Sequence, residues 1–294
     1  MRDRVVIGSR GSALALWQSR AVAALLEKAH PGLSCHIEII KTTGDRLHDA
    51  SLVAISGKGV FTKEIEDAML DGRVDFAVHS LKDLPTTLPP GLALGAVTER
   101  EDPRDALAAR AGVDSLSGIP RGGRVGTSSP RRRCQLAALR PDIELVELRG
   151  NVDTRLAKIE TEGLDGVILA CAGLRRLGFE HRITESIPVD SMVPAVGQGA
   201  LGIEIRDGDD DVSEIVQVLA DATTAACCAA ERAFLAAMGG GCAQPIAGHA
   251  WVDGELLRMI AAVDDGAQVR RIAMSSVVGQ PEALGRDLAA KFQG

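Results

Sequence analysis

The stretch RVGTSSPRRRCQLAAL, residues 124–139, carries the signals of a strand that runs directly into a helix. Residues 124–129 read as the strand, Pro130 stands where a first helical turn accepts proline, and the serine before it can cap the helix. Free amide groups and the positive end of a helix dipole, with guanidinium groups beside them, predict a site for small anions. An ordinary capped helix with exposed arginines is the alternative.

Strands and helices alternate on both sides of this stretch. Upstream, the apolar spacing predicts strands at 5–9, 36–41, 74–81 and 92–97, a helix from Ser12 to His30, and a helix at 61–72. Downstream it predicts a helix at 130–139, strands at 143–148 and 166–172, and a helix at 152–162. This alternation is typical of parallel sheets with helices on both faces.

The pattern restarts near residue 124, which divides the chain into domains. We predict a discontinuous first α/β domain, 1–99 with 200–217, because a strand at 200–206 can return to the first sheet. A second α/β domain covers 100–199. The remainder, 218–294, predicts a small α+β domain with an alanine-rich helix to about residue 238, two or three antiparallel strands and a closing helix. Two α/β domains facing a cleft are the usual setting for a ligand site.

Composition limits the partners of the chain. It has 294 residues, a formal net charge of −7, 2% aromatic residues and no tyrosine, which argues against a nucleic-acid-binding protein. That alternative would show steeply salt-dependent binding to DNA or RNA. No run approaches the roughly 18 apolar residues that span a bilayer, and the first residues do not resemble a secretory signal. We therefore expect a cytoplasmic protein without a membrane partner.

Positive charge is concentrated in the middle of the chain. Residues 121–182 carry 12 basic and 8 acidic side chains, against 14 and 16 before them and 7 and 16 after them. Lys158 is the only lysine of the segment, and all its other basic residues are arginines. Because the planar arginine fork matches a carboxylate with two hydrogen bonds, this bias favours recognition of small anions over a merely solvated basic face.

The six cysteines are expected to have different roles. Their spacing contains no CxxC, and the adjacent Cys227 and Cys228 would chelate poorly, so we predict free thiols and no metal. Cys134 and Cys171 fall on apolar faces and are expected to pack in the core. Cys242 lies in GGGCAQP, residues 239–245, where glycines keep a thiol accessible. It is either a reactive thiol or an inert one.

Polar residues follow four of the predicted strands, at 9–12, 79–83, 127–129 and 149–151. The carboxyl ends of parallel strands meet at one edge of a sheet, where ligands usually bind. Within the second group, Asp83 beside Lys82 is either a general acid or half of a surface ion pair.

Several blocks together resemble the hydroxymethylbilane synthase, or porphobilinogen deaminase, family. They run in order over almost the entire chain: GSRGS (8–12), GKGVF (57–61), AVHSLKDLP (77–85), GTSS (126–129), LRGN (148–151), TRL (154–156), AGL (172–174), GQG (197–199) and GGC (240–242). The resemblance implies a monomeric three-domain transferase of tetrapyrrole biosynthesis, whose first two domains resemble type II periplasmic binding proteins.

The reaction so implied joins four porphobilinogen molecules head to tail and releases four ammonia molecules and the linear 1-hydroxymethylbilane. The chain grows from a dipyrromethane cofactor, which the resemblance attaches by a thioether to Cys242. Porphobilinogen carries an acetate and a propionate, so the arginines would neutralise many carboxylates. An anion-binding module without covalent chemistry is the alternative, and replacing Cys242 with serine would leave its ligand binding intact.

Family position also assigns the site residues. Asp83 is the expected catalytic residue: in a low-dielectric, arginine-rich setting it would stabilise the cationic azafulvene left by loss of ammonia. The expected cofactor contacts are Ser80, Lys82, Asp83, Thr127, Ser128, Ser129, Arg131, Arg132, Arg155, Gly173 and Cys242. The expected substrate contacts are Arg10, Ser12, Arg149, Arg176 and Gln198.

Overall fold

The computed structural model describes residues 2–43, 62–240 and 244–294. The 57–61 block, the first residue of the helix predicted at 61–72, and Cys242 lie outside the described residues. Contacts divide the chain into two compact units, Met1–Arg100 with Ala200–Ala225, and Glu101–Gly199 with Ala226–Gly294. The boundaries of three domains given above stay a prediction.

The first unit is built on a five-stranded sheet. Its strands are β1 (Arg4–Ser9), β2 (Ser34–Ile39), β3 (Phe76–Ser80), β4 (Leu92–Val97) and β10 (Leu201–Arg206), in the order β2-β1-β3-β10-β4. Its helices are α1 (Ala13–Ala29), α2 (Lys63–Leu70) and α6 (Asp210–Gln217), and a 3₁₀ turn, Leu81–Asp83, follows β3.

The predicted return of strand 200–206 to this sheet is confirmed, but a purely parallel sheet is wrong. Strands β1, β2 and β3 are parallel, whereas β10 runs antiparallel to both β3 and β4. One face packs Phe76 and Ile203 against Val22 and Leu26 of α1. Ile65 of α2 belongs to a separate apolar cluster with Ala77 of β3.

The second unit contains a sheet of the same layout. The strands are β5 (Asp105–Ala109), β6 (Arg124–Gly126), β7 (Glu144–Val146), β8 (Gly166–Ala170) and β9 (Glu185–Ser186), in the order β7-β6-β8-β5-β9. Strands β6, β7 and β8 are parallel, and β5 is antiparallel to its neighbours β8 and β9. The helices are α3 (Pro130–Leu139), α4 (Val152–Thr161) and α5 (Cys171–Arg176), and a 3₁₀ turn spans Glu180–Arg182.

Sequence patterns missed β5, β9 and α5. The β5 sequence DALAA contains no β-branched or aromatic residue, so its strand propensity is low. The strand predicted at 166–172 is too long, because the chain enters α5 at Cys171.

The C-terminal part of the second unit has its own sheet and core. Strands β11 (Ile246–Asp253), β12 (Leu256–Asp264) and β13 (Val269–Val277) are antiparallel in chain order, between helices α7 (Ala222–Ala237) and α8 (Pro281–Gln293). Phe234, Leu257, Met259 and Leu288 are buried together there. This agrees with the α+β arrangement expected after residue 218.

The alanine-rich helix expected to about residue 238 is α7, and a separate helix, α6, precedes it. Helix α6 ends at Gln217, and α7 begins at Ala222. The Asp221 carboxylate accepts a hydrogen bond from the Thr224 N–H at 2.7 Å and so begins a new helix. Among the described residues no single helix has the length and apolar character to cross a membrane, and α6 and α7 pass that test only when joined across their bend.

Candidate active site

In the first unit, helix α1 fixes the ends of β1 and β3, which are parallel neighbours. The Gln18 amide donates to the Ser80 hydroxyl at 2.8 Å, and the Ser19 hydroxyl donates to that of Ser9 at 2.9 Å. Ser12 caps α1 by accepting from the Ala15 N–H at 3.3 Å. The predicted groups at 9–12 and 79–83 therefore lie at one edge of the sheet.

The predicted catalytic carboxylate, Asp83, occupies the 3₁₀ turn that follows β3. Buried Leu81 anchors the turn, and its N–H donates to the Ala200 carbonyl at 3.0 Å. Asp83 is exposed and Lys82 is half-buried. The expected low-dielectric setting is therefore wrong for Asp83, because a residue in a turn at the sheet edge meets solvent.

A second polar group lies on the inner face of β3. His79 Nε2 is 3.0 Å from Glu204 Oε2 on β10, and both side chains are buried. The two atoms are close, but they are not aligned for a hydrogen bond. Glu66 of α2 belongs to the same group: burial raises the pKa of Glu66, and the negative charge of Glu204 adds to the effect. His79 belongs to the polar group predicted at 79–83, whereas Glu66 and Glu204 were not predicted from the sequence.

In the second unit, the hydroxyl residues after β6 contact the chain after β7. The Ser128 hydroxyl donates to the Leu148 carbonyl at 2.6 Å and accepts from the Leu148 N–H at 2.8 Å. Thr127 is buried, and its hydroxyl accepts from the Ser129 N–H at 3.3 Å. Ser129 caps α3 by accepting from the Arg132 N–H at 3.4 Å, as predicted. These bonds shape a helix start suited to anions.

The two arginines that begin α3 turn inward onto one carboxylate. Asp105, fully buried at the start of β5, accepts from Arg131 at 2.7 and 3.1 Å and from Arg132 at 2.7 and 3.0 Å. The Gln198 amide donates to the same carboxylate at 3.0 Å. Arg131 also donates to the Val193 carbonyl and Arg132 to that of Ile168. The alternative, a capped helix with exposed arginines, is therefore wrong for this pair, which is about 95% buried.

This cluster retains positive charge. Burial alone would raise the pKa of Asp105, but the charges of Arg131 and Arg132 outweigh it and hold that pKa well below its usual range. Two cations then face one anion. Each guanidinium donates three of its five N–H groups to described residues, so donors remain for a further anion.

The other predicted arginines have separate places in the second unit. Arg155 donates to the Gly150 carbonyl at 2.7 Å, and Arg149 pairs with Glu147 at 2.6 Å. Arg176 donates to the Gly199 carbonyl at 2.6 Å, and burial lowers the pKa of its guanidinium against the opposing charge of Glu101. Gly173 is buried within α5. In the first unit, Arg10 is half-buried after β1.

Metal ligation finds no support among residues 2–43, 62–240 and 244–294, where no three His, Cys, Asp or Glu side chains are grouped to hold an ion. The cysteines described there are free thiols.

Two family descriptions match most of the chain. "Porphobilinogen deaminase, dipyromethane cofactor binding domain" matches residues 5–214, and "Porphobilinogen deaminase, C-terminal domain" matches residues 225–294. The chain belongs to the porphobilinogen deaminase family. Curated relatives agree: the Porphobilinogen deaminase of Moorella thermoacetica is 52% identical over 98% of this chain and 92% of its own. That of Roseiflexus castenholzii is 50% identical over 99% and 96%.

Solved structures similar to the chain are periplasmic binding proteins and related domains. An arginine-specific periplasmic binding protein of Salmonella typhimurium has a TM-score of 0.38 at 14% identity, covering 76% of this chain and 93% of its own. The BvgS periplasmic VFT2 domain of Bordetella pertussis has a TM-score of 0.44 at 14% identity, covering 74% and 86%.

Family membership fixes the reaction. The enzyme is a transferase of tetrapyrrole biosynthesis that polymerises porphobilinogen into hydroxymethylbilane and uses a dipyrromethane cofactor. The donor set of the second unit fits such a group: a dipyrromethane presents carboxylates, and the Asp105 cluster offers guanidinium donors and a residual positive charge beside the helix start.

Three further buried polar residues were not predicted from the sequence. Asp105 and Glu231 are both fully buried, and Gln18 is 3% exposed. A signal was present for Glu231, which is the first charged residue after Asp221 in an otherwise alanine-rich stretch. A buried acid is rare unless it has a partner.

Proposed function

We propose that Asp83 is the catalytic carboxylate of this porphobilinogen deaminase and that Cys242 holds the dipyrromethane cofactor. The observation that carries the first assignment is the position of Asp83, an exposed carboxylate in the turn that ends β3. It stands at the sheet edge where Ser9 and Ser80 are already oriented by α1. A group placed there can contact substrate without rearrangement of the strand.

The reaction gives one carboxylate two roles, which are to stabilise a cation and to carry a proton. Each joining step breaks the C–N bond of porphobilinogen, forms a C–C bond to the next pyrrole and removes the hydrogen of the attacked carbon as a proton, which the departing ammonia takes up overall. Loss of ammonia leaves a cation, and a carboxylate beside it stabilises that charge and carries the proton. Ligand binding would exclude water from exposed Asp83 and strengthen both effects.

We assign the substrate and cofactor carboxylates to the cationic and hydroxyl groups of the site. The proposed cofactor contacts are Ser80, Lys82, Asp83, Thr127, Ser128, Ser129, Arg131, Arg132, Arg155 and Gly173, and the proposed substrate contacts are Arg10, Ser12, Arg149, Arg176 and Gln198. The residual positive charge of the Asp105 cluster supports this for Arg131 and Arg132. Gln198 also donates to Asp105.

When bound, the cofactor supplies the primer to which pyrroles are added. Its attachment to Cys242 would form a C–S bond as the C–N bond of porphobilinogen breaks, with the thiol proton leaving on ammonia. The chemistry of the other thiols supports this choice. Burial raises the pKa of Cys134 and of Cys171, and Cys227 and Cys228 are buried.

The test is the intact mass of the denatured protein, compared with Cys242→Ser and with Cys134→Ser as a matched thiol control. A mass excess of two pyrrole units should appear on the wild-type and Cys134→Ser proteins and be missing from Cys242→Ser. An adduct on Cys242→Ser, or a folded, active wild-type protein without any adduct, would refute the assignment.

We further propose that the enzyme works as a cytoplasmic monomer with three domains and without a nucleic-acid or membrane partner. The free thiols among the described residues support a reducing compartment. Light scattering on the purified enzyme should give the monomer mass of 30.8 kDa. A larger mass at the concentration used for the assay would refute the proposal of a monomer.

A further inference from the structure

Glu231 lies on helix α7 and its carboxylate accepts two backbone hydrogen bonds from different segments. Oε2 accepts from the Gly197 N–H at 2.6 Å, and Oε1 accepts from the Ala250 N–H on β11 at 2.8 Å. The side chain is fully buried, so both bonds are made away from water. Charge-assisted bonds of this kind are among the strong ones in proteins.

The two segments tied by Glu231 differ in their place along the chain. Helix α7 ends at Ala237 and β11 begins at Ile246, so Glu231 and Ala250 flank residues 238–245, the part of the chain that includes Cys242. The other donor to Glu231, Gly197, begins a turn in which φ is 72° at Gly197 and 95° at Gly199. Glycine adopts such a backbone readily and other residues do not, so this turn depends on glycine at both positions.

The same turn contacts the anion-binding residues of the second unit. Gln198 donates to Asp105, which holds Arg131, and the Gly199 carbonyl accepts from Arg176. A second bond, from the Gly248 N–H to the Pro194 carbonyl at 3.0 Å, runs beside the Glu231 contacts. One carboxylate thus connects both flanks of residues 238–245 to the turn that bears on the guanidinium groups.

We infer that Glu231 is a positioning residue: it sets helix α7 and strand β11 in register with the 197–199 turn, so that a group held on Cys242 meets the guanidinium donors. This inference rests on the proposed role of Cys242. Glu231 itself contacts neither substrate nor cofactor in it. His249 Nδ1, 3.6 Å from Oε1, is the titratable group beside the carboxylate on β11.

The test uses the full chain prepared without cofactor, in the wild-type, Glu231→Gln and Glu231→Asp forms. Glutamine keeps the shape but presents an NH₂ group to one of the two N–H donors, and aspartate is one methylene too short to reach both. Leu288→Val is the matched control. Leu288 is fully buried in the core that α7 packs against, but it is apolar and makes no hydrogen bond through its side chain. Its loss of stability should be of the order expected from one lost hydrogen bond.

Two readouts are followed at a temperature where every form is folded: exchange of the Gly197 and Ala250 amides by NMR, and the rate at which intact mass gains two pyrrole units with porphobilinogen. In Glu231→Gln we expect at least tenfold faster exchange at Gly197 and at least tenfold slower mass gain. Leu288→Val should keep both Gly197 exchange and mass gain within twofold of wild type. If Glu231→Gln does not fold, the same two measurements are made on Glu231→Asp, with the same expected changes.

The outcomes separate the inference from the proposed function. Faster Gly197 exchange with wild-type mass gain would make Glu231 a purely structural residue and overturn the inference, while the role of Cys242 stands. If mass gain slows as much in Leu288→Val as in Glu231→Gln, the effect comes from lost stability, and the inference about Glu231 is overturned. A wild-type protein that gains no mass would refute the role of Cys242, and the inference would fall with it.

Discussion

Asp105 and Arg131 form a buried ion pair, with Arg131 Nη1 2.7 Å from Asp105 Oδ2 and side-chain exposures of 0% and 6%. Arg132 contacts the other oxygen of the same carboxylate, also at 2.7 Å. A chain that needs cations for a polyanionic ligand must hold them in place while the ligand is absent. One internal carboxylate shared by two arginines does so and leaves one positive charge uncancelled.

Removing that carboxylate should therefore be costly. Asp105→Asn leaves two buried cations without an anion, and we expect it to lower the free energy of unfolding by about 3–5 kcal/mol. Urea unfolding at neutral pH measures the loss. Asp142→Asn is the control, because Asp142 pairs with Arg140 near the surface and should matter much less. Equal losses in the two variants would contradict the account of the cluster.

The contribution of Asp105 should also depend on pH. Its pKa is held below the ordinary 3.8 in the folded protein. A depressed pKa contributes stability that is present above the unfolded value and is lost as pH falls through the folded one. The stability gap between wild type and Asp105→Asn should therefore be constant at neutral pH and shrink in acid below 3.8. A gap that grows on acidification would have the wrong sign.

Asp83→Asn should separate catalysis from folding. Because Asp83 is exposed, we expect its unfolding free energy to change by no more than about 0.5 kcal/mol. Loss of a carboxylate that carries protons should lower kcat by about 10²–10⁴-fold. Steady-state kinetics with porphobilinogen and urea unfolding provide the two numbers, with Asp71→Asn as an exposed control in the same unit. Near-normal kcat in Asp83→Asn would exclude the proposed role.

Thiol reactivity should single out Cys242. Burial, with the nearby charge of Glu27, raises the pKa of Cys35 from 9.0 to about 11, which cuts its thiolate fraction at neutral pH about 100-fold. Cys134 and Cys171 shift in the same direction. Peptide mapping after brief iodoacetamide treatment of cofactor-free, folded protein should find Cys242 labelled first. Labelling of Cys35 at the rate seen in denatured protein would contradict this ranking.

Glu66→Gln should change how stability responds to pH. Burial and Glu204 raise the pKa of Glu66 above 4.5, so the folded protein favours the protonated acid. That stability is fully present below the unfolded value and is lost as pH rises through the folded one. Glutamine mimics the protonated acid, so wild type should lose stability relative to Glu66→Gln as pH rises above 4.5. Unfolding measured across pH, with exposed Glu282→Gln as the control, tests the slope. A gap independent of pH would refute it.

Local sequence determined most of the elements of this protein. The cap and proline at Ser129 and Pro130 begin α3 where predicted, because both act on neighbouring backbone groups. Apolar spacing likewise predicted β1, β4, α1 and α8, and the polar residues expected after four strands do follow them. These signals depend on residues a few positions apart, so a single sequence contains them.

Only the tertiary structure decided which charges meet. Asp105 lies 26 residues from Arg131, and Glu231 lies 34 from Gly197, so no spacing rule connects them. Strand β5 consists mostly of small residues, so strand propensity did not predict it. Its first residue, Asp105, is the carboxylate that Arg131 and Arg132 contact. Burial makes such contacts strong by removing water from both partners, and burial is a property of the packed chain rather than of any segment within it.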